Sequence, residues 1–258
     1  MRRLRVDGRD SSESRPLRVE LGLLSSTDGS ARLRSGRTSV LASVLGPRPT
    51  RSMRLEDPTR ALLEVHVAPV SGGGIGSSPS RDAELAATLR AALSPLLLLR
   101  AAPRSVVTVS ILIEADDGCV APMAFNAAVL ALADAGVPLR SLAAACGISL
   151  LQSSSSSTTG VAVIDPSGEE VSRGFSQASM WAAFSAAADT ASDVSSTSSP
   201  LAFLSTGILS IEDIDQLITK TTIQVTKTIQ FMRTALTERV MRDAVNCAPE
   251  VRAALGVA

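Results

Sequence analysis

The chain has 258 residues, 45% of them hydrophobic and 2% aromatic, with 25 basic side chains balancing 25 acidic ones. That much apolar material can bury a large core in a single domain and excludes a disordered chain. One Trp, five Phe and no Tyr argue against base stacking on aromatic platforms, and no apolar run approaches the roughly 18–20 residues that span a bilayer.

Cys119, Cys146 and Cys247 are odd in number and widely spaced, which indicates neither a disulfide framework nor a zinc site. With no apolar signal region in the lead MRRLRVDGRD, a reducing, intracellular compartment is expected. Charge is uneven: residues 1–60 hold 13 Arg against 7 acidic residues. Such polarity favours phosphate backbones on one side, although scattered arginines also form ordinary solvated faces.

In chain order, PLRVELGLL (Pro16 to Leu24) alternates as a strand, and Thr27-Asp28-Gly29-Ser30 reads as a turn. Ser30 to Arg34 and Thr38 to Leu45 give two more strands, the last closed by Gly46-Pro47. Strand after strand without a helix excludes a simple parallel α/β start. Arg48 to Arg60 is polar and reads as an exposed loop, and Ala61 to Val70 returns to strand. A glycine-serine loop follows, then a capped helix from Pro79-Ser80 to Leu99. The strand Val106 to Ile113, VVTVSILI, is apolar on both faces and is expected in the middle of a covered sheet. After Glu114-Ala115-Asp116-Asp117-Gly118, a helix from Cys119 runs about four turns to the stop at Gly136-Val137-Pro138. It is apolar on nearly all sides and should be buried. Leu142 to Leu151 and Gly160 to Ile164 read as a strand pair, Met180 to Ala188 as strand or helix, and Ser210-Ile211-Glu212-Asp213 as the capped start of a long helix to about Arg242.

Candidate sites are few. His66 has no second His with which to build a metal or base arrangement and reads as structural. The glycines at 72–76 lack the Lys-Ser/Thr of a phosphate-binding P-loop. Glu114, Asp116 and Asp117 form the dense carboxylate cluster beside apolar strands: they could ligate Mg²⁺ or act in acid–base chemistry, or simply cap a helix.

Several pieces occur in a telling order: Glu13, Arg15, Pro16 and Leu17; then GSARLRSGRTSVLASVLGP (Gly29 to Pro47); then PSRDAEL; then EADDG and ALADAGVPLRSL. In that order they resemble the ribonuclease PH family across nearly the whole chain, and within it the ring subunits of the eukaryotic RNA exosome. The resemblance implies an α+β, ribonuclease PH-like (ribosomal protein S5 domain 2-like) fold of mixed sheets flanked by helices. It would be a single domain over residues 1–258, with insertions at about 152–159 and 189–200.

The resemblance also implies a site. In the family, inorganic phosphate attacks the 3′-terminal phosphodiester, which requires one anion to be held against another. Arg81 matches the family's phosphate-binding Arg at the start of a helix. Where the family has Gly-Ser/Thr-Arg, this chain reads Gly118-Cys119-Val120, and Val cannot make the bidentate contact of a guanidinium. Asp165 matches the first of two catalytic acids. The position six residues on is Val171, preceded by Glu169 and Glu170, with Pro166 bending the turn. The expectation is therefore no catalytic residue, with Asp116 and Asp165 as remnants, Arg81 and Gly118 as a phosphate-site remnant, and neither metal nor cofactor.

RNA contact is implied for the loop after the third strand, through Arg48, Arg51 and Arg54, reading phosphate rather than base. The implied partners are other ribonuclease PH-like ring subunits, S1/KH cap subunits and single-stranded RNA in the central channel, with no membrane; the implied locations are nucleus, nucleolus and cytoplasm. An isolated chain should expose sheet edges or apolar faces, and so behave poorly alone or dimerise. Two alternatives stand beside this reading. One is an active 3′-to-5′ exoribonuclease, phosphorolytic or metal-dependent, using Asp116, Asp165 and Glu170. The other is a small-molecule-binding domain of similar layout.

Overall fold

The computed structural model describes residue 5 and residues 7–49, 56–69, 79–151, 161–172, 176–186 and 200–245. Four layers succeed one another: a five-stranded sheet, a helical layer, a four-stranded sheet and a long outer helix. The first sheet is built from β1 (Leu17–Leu21), β2 (Gly29–Ser35), β3 (Thr38–Pro49), β4 (Leu62–Pro69) and β5 (Ser105–Ala115), in the order β1-β2-β3-β5-β4. Only the β4–β5 pair is parallel. Its crossover is α1 (Pro79–Leu93), as a parallel pair requires.

Between the sheets lies α2 (Val120–Asp134), with every residue from Pro122 to Leu132 buried. Alanine at 124, 127, 128 and 131 lets both sheets approach; Gly29 of β2 comes so close that a Cβ there would stand 2.3 Å from the Ala135 amide nitrogen. The second sheet contains β6 (Ala143–Leu151), β7 (Val161–Ile164), β8 (Ser176–Ser185) and β9 (Pro200–Gly207), in the order β7-β6-β8-β9. The short helix α3 (Gly168–Ser172) follows β7, and α4 (Ile211–Val245) covers the outer face of β6 and β8. A reciprocal cap starts α4: Ser210 Oγ donates to the Asp213 carboxylate at 2.6 Å and accepts from the Asp213 amide at 3.1 Å.

Several boundaries differ from the sequence reading. The third strand runs past Gly46-Pro47 to Pro49, absorbing the proline through a register shift between Leu45 and Arg48, so Arg48 ends a strand rather than opening a loop. Pro95 lacks the amide that a continuing helix needs, so α1 stops at Leu93 and gives way to two short 3₁₀ turns. β5 lies one strand in from the β4 edge rather than in the middle of the sheet, and is covered on one face only: Val107, Val109 and Ile111 are buried while Ser110 is exposed. Residues 176–185 form a strand, which settles the strand-or-helix ambiguity at Met180.

Candidate active site

Where β7 leaves the second sheet, Asp165 takes a left-handed backbone conformation (φ 50°), donates its amide to Gly147 O at 2.9 Å and buries its carboxylate. Arg15, in the segment entering β1, meets that carboxylate with its whole polar edge. Oδ1 accepts from Nη2 at 2.6 Å, and Oδ2 accepts from Nε at 2.8 Å and from the Arg15 amide at 3.0 Å. Burial alone would raise the Asp165 carboxyl, but this fork of donors holds it below the usual carboxylate range. A general acid needs the opposite shift.

Glu170 is held in the same manner. Pro166 turns the chain into α3, and Ser167 and Glu170 cap it reciprocally, the Ser167 amide donating to Oε2 at 2.8 Å. Arg5 then closes on Glu170 from outside, Nε to Oε1 at 2.8 Å and Nη2 to Oε2 at 2.6 Å, while its other donors reach the backbone oxygens of Ile164 and Asp165. Burial pushes the Glu170 carboxyl up, and the Arg5 hydrogen bonds bring it below its ordinary value. Val171, six residues after Asp165, is exposed.

The acidic turn forms the remaining wall. Thr38 Oγ1 donates to Gly118 O at 3.0 Å and accepts from the Asp117 amide at 3.2 Å, while Arg15 Nη1 donates to Asp117 O at 3.0 Å. Gly118 (φ 84°) must be glycine, because a Cβ would lie 2.8 Å from Pro166 O. Cys119, also left-handed at φ 56°, caps α2 without a side-chain bond and turns its sulfur towards Pro166 O at 3.6 Å. Burial, then the neighbouring Asp165 charge, push its thiol well above the ordinary value, so it is no nucleophile at neutral pH.

Asp165, Gly118 and the start of α2 are thus brought together, and so is Glu170. Asp116 is not: it is exposed, and its carboxylate accepts from the Gly118 amide at 2.9 Å. Arg81 is exposed on the first turn of α1, at the same rim, because β4 and β5 are parallel and each is followed by its helix. Arg48 lies at the other end of the sheet, ion-paired with Asp28 at 3.4 Å. Arg51 and Arg54 lie outside the described residues, as does the glycine loop at 72–76. His66 is exposed, 4.0 Å from Glu64. Among the described residues no group of three or more His, Cys, Asp or Glu is placed to hold a metal ion.

Arg5 and Arg15 are the functional residues that sequence reasoning missed. Arg15 was visible within the motif Glu13-Arg15-Pro16-Leu17, but nothing local marks its partner 150 residues away. In the cluster Arg5, Arg9 and Arg15 meet Asp7, Asp117, Asp165 and Glu170, so each cation is already matched by a carboxylate.

The model of the 3′ exoribonuclease family, domain 1 (RNase PH), matches residues 13–138, from the approach to β1 to the end of α2. The exosome complex component Rrp41 of Thermococcus kodakarensis is 41% identical over 146 residues, 55% of this chain and 59% of that protein. Rrp41 of Pyrobaculum arsenaticum is 37% identical over 172 residues, 65% of this chain and 67% of that protein. The match therefore spans 59% of the length of the first of these relatives. The crystal structure of rice (Oryza sativa) Rrp46 is similar with a TM-score of 0.75 at 29% identity, covering 90% of this chain and 100% of that one. Motif order, sheet topology and these likenesses agree, and the chain belongs to the 3′ exoribonuclease (ribonuclease PH) family.

Proposed function

We propose that this chain is a non-catalytic subunit of an RNA exosome core ring, of the ribosomal RNA-processing protein 46 kind, contributing to assembly and to the path of RNA. Its names-in-kind, the Rrp41 and Rrp46 proteins, support the exosome role. The observation that carries the non-catalytic part is the double arginine clasp: Asp165 is closed by Arg15 and Glu170 by Arg5, while Val120 stands where the family places its phosphate-gripping Arg. Phosphorolysis needs a free cation for phosphate and a carboxyl group open to the substrate. This cluster offers neither. On this reading the subunit sits beside other ribonuclease PH-like subunits, beneath S1/KH cap proteins, in nucleus, nucleolus and cytoplasm.

Purified chain incubated with a 3′-labelled single-stranded RNA tests it, with inorganic phosphate and with Mg²⁺ in separate arms. Intact RNA in both arms is expected. Shortening in either arm that disappears in a folded Asp165→Asn protein would establish an active exoribonuclease instead.

A further inference from the structure

Arg5 is held more completely than an ion pair requires. A guanidinium carries five N–H donors in a rigid plane, and here each of the five has an acceptor. Nε and one Nη2 proton go to the two Glu170 oxygens at 2.8 and 2.6 Å, and the other Nη2 proton goes to Asp165 O at 2.8 Å. Nη1 donates to Ile164 O at 2.7 Å and to Glu13 O at 3.1 Å. The Arg5 and Glu170 side chains are only 3% and 4% exposed. An ammonium, with three donors and no planar fork, would leave buried oxygens unpaired in this cage. The arrangement is complementary to a guanidinium, not to positive charge in general.

What enters with Arg5 is a segment with little else to hold it. From Asp7 to Ser14 no side chain is apolar, and the first residue packed against the core is Leu17. Its other ties to the body are single polar contacts: the Ile164 amide donates to Ser11 O at 3.0 Å, and Gln224 Nε2 donates to Ser14 Oγ at 2.7 Å. A cleft of about 540 Å³ lies between this segment and α4. Segments with few buried apolar contacts open locally, well below the cost of global unfolding. Arg9 stands at the mouth of the same cage, Nη1 3.2 Å from Glu13 O and Nη2 3.4 Å from Asp165 O, so two of the acceptors already serve a second guanidinium.

We infer that Glu170 and the carbonyls of Glu13, Ile164 and Asp165 form a guanidinium-binding site, with Arg5 as its ligand in cis. By holding Arg5, the site fastens residues 5–14 as a strap that can lift from an otherwise intact fold. Emptied of Arg5, it accepts the guanidinium group of another molecule, an alkylguanidinium ion or an arginine side chain. This inference does not rest on the proposed ring role, nor on the absence of catalysis.

An Arg5→Ala, Arg9→Ala double variant of the full chain empties the site. Amide hydrogen exchange then reads the strap through Gly8 and Glu13, which donate within it, and through Ile164, which donates to it. These three amides should exchange at least tenfold faster than in the wild type, while those of α2 keep their rates. Ethylguanidinium at about 20 mM should slow Ile164 again by at least threefold. Ethylammonium at the same ionic strength should not, and the wild type, whose site is full, should respond to neither. Adding Glu170→Gln should abolish the response. Equal protection by ethylammonium, a response that survives Glu170→Gln, or no response at all overturns the guanidinium site. Acceleration of the α2 amides along with the strap, or a double variant that does not fold, overturns the strap, because residues 5–14 would then be part of the core.

Discussion

Asp165 commits both carboxylate oxygens to Arg15, with Ser35 and Arg9 beside Oδ2, and that arrangement has a measurable signature. Both Asp165 and Glu170 are held below their ordinary range by buried guanidinium partners. A group with a depressed folded pKa contributes stability that is present above its unfolded value, about 4, and is lost as pH falls through the folded value. Urea stability should therefore be flat from pH 7 to about 5 and fall steadily below about 4. In Asp165→Asn the acid-side fall should shrink, at the expense of about 2–4 kcal/mol at pH 7, because buried Arg15 loses its nearer counter-charge and keeps only Asp117 at 3.6 Å. An Arg15→Met, Asp165→Leu double variant should lose much less than the sum of the two single changes. Additive losses would show that the pair is not coupled. Of this arrangement the sequence revealed Asp165, which follows an apolar strand, and the absence of Arg at 120. It concealed Arg5 and Arg15, because charge pairing across 165 and 150 residues leaves no periodic trace.

The element most legible in the sequence is α2, since an uninterrupted Ala/Leu run ended by glycine and proline permits few alternatives. Its one buried polar side chain was not legible, and it explains how the second sheet ends. β8 pairs with β6 along its whole length, but β7 pairs only with Ile148 to Leu151, leaving the first half of β6 bare on that side. Asn126 fills the gap as a strand would: its Nδ2 donates to Ala145 O at 2.9 Å and its Oδ1 accepts from the Ala145 amide at 2.7 Å. Two residues on, the Asp165 amide takes Gly147 O. Asn126→Leu is close to the same size and suits a helix better, yet it strands two buried backbone groups at about 1–3 kcal/mol each. Thermal and urea unfolding should show a net loss of about 2–4 kcal/mol. A neutral result would mean that water can reach β6 there. The β3 boundary was misread for a related reason: Gly-Pro is a strong local stop, but β5 on one side of β3 carries the ladder past it to Pro49, while pairing with β2 ends at Val44.

At the scale of the molecule, the layering separates two rims. β4 and β5 run parallel, so the starts of α1 and α2 share the rim that holds the arginine clasps, while the end of β3 lies on the other. Ser39 pairs with Ala115 and Arg48 with Val106, nine residues along β5, which sets the rims roughly 30 Å apart. The end of β3 is thus remote from Asp165 and Glu170, so on the proposed reading RNA that meets it is guided rather than cut. The separation was not visible from motif order, which gives the sequence of elements but not which ends of strands coincide. Arg48 is already paired with Asp28, so the segment beyond it should carry the larger share of any phosphate contact. Within an assembled ring, Arg51→Glu together with Arg54→Glu should weaken crosslinking to single-stranded RNA alike for different sequences while leaving assembly intact. The slope of log affinity against log salt should fall by about 0.7 for each lost contact. Crosslinking that is unchanged between about 50 and 200 mM salt would remove these arginines from the RNA path and leave the subunit with assembly alone.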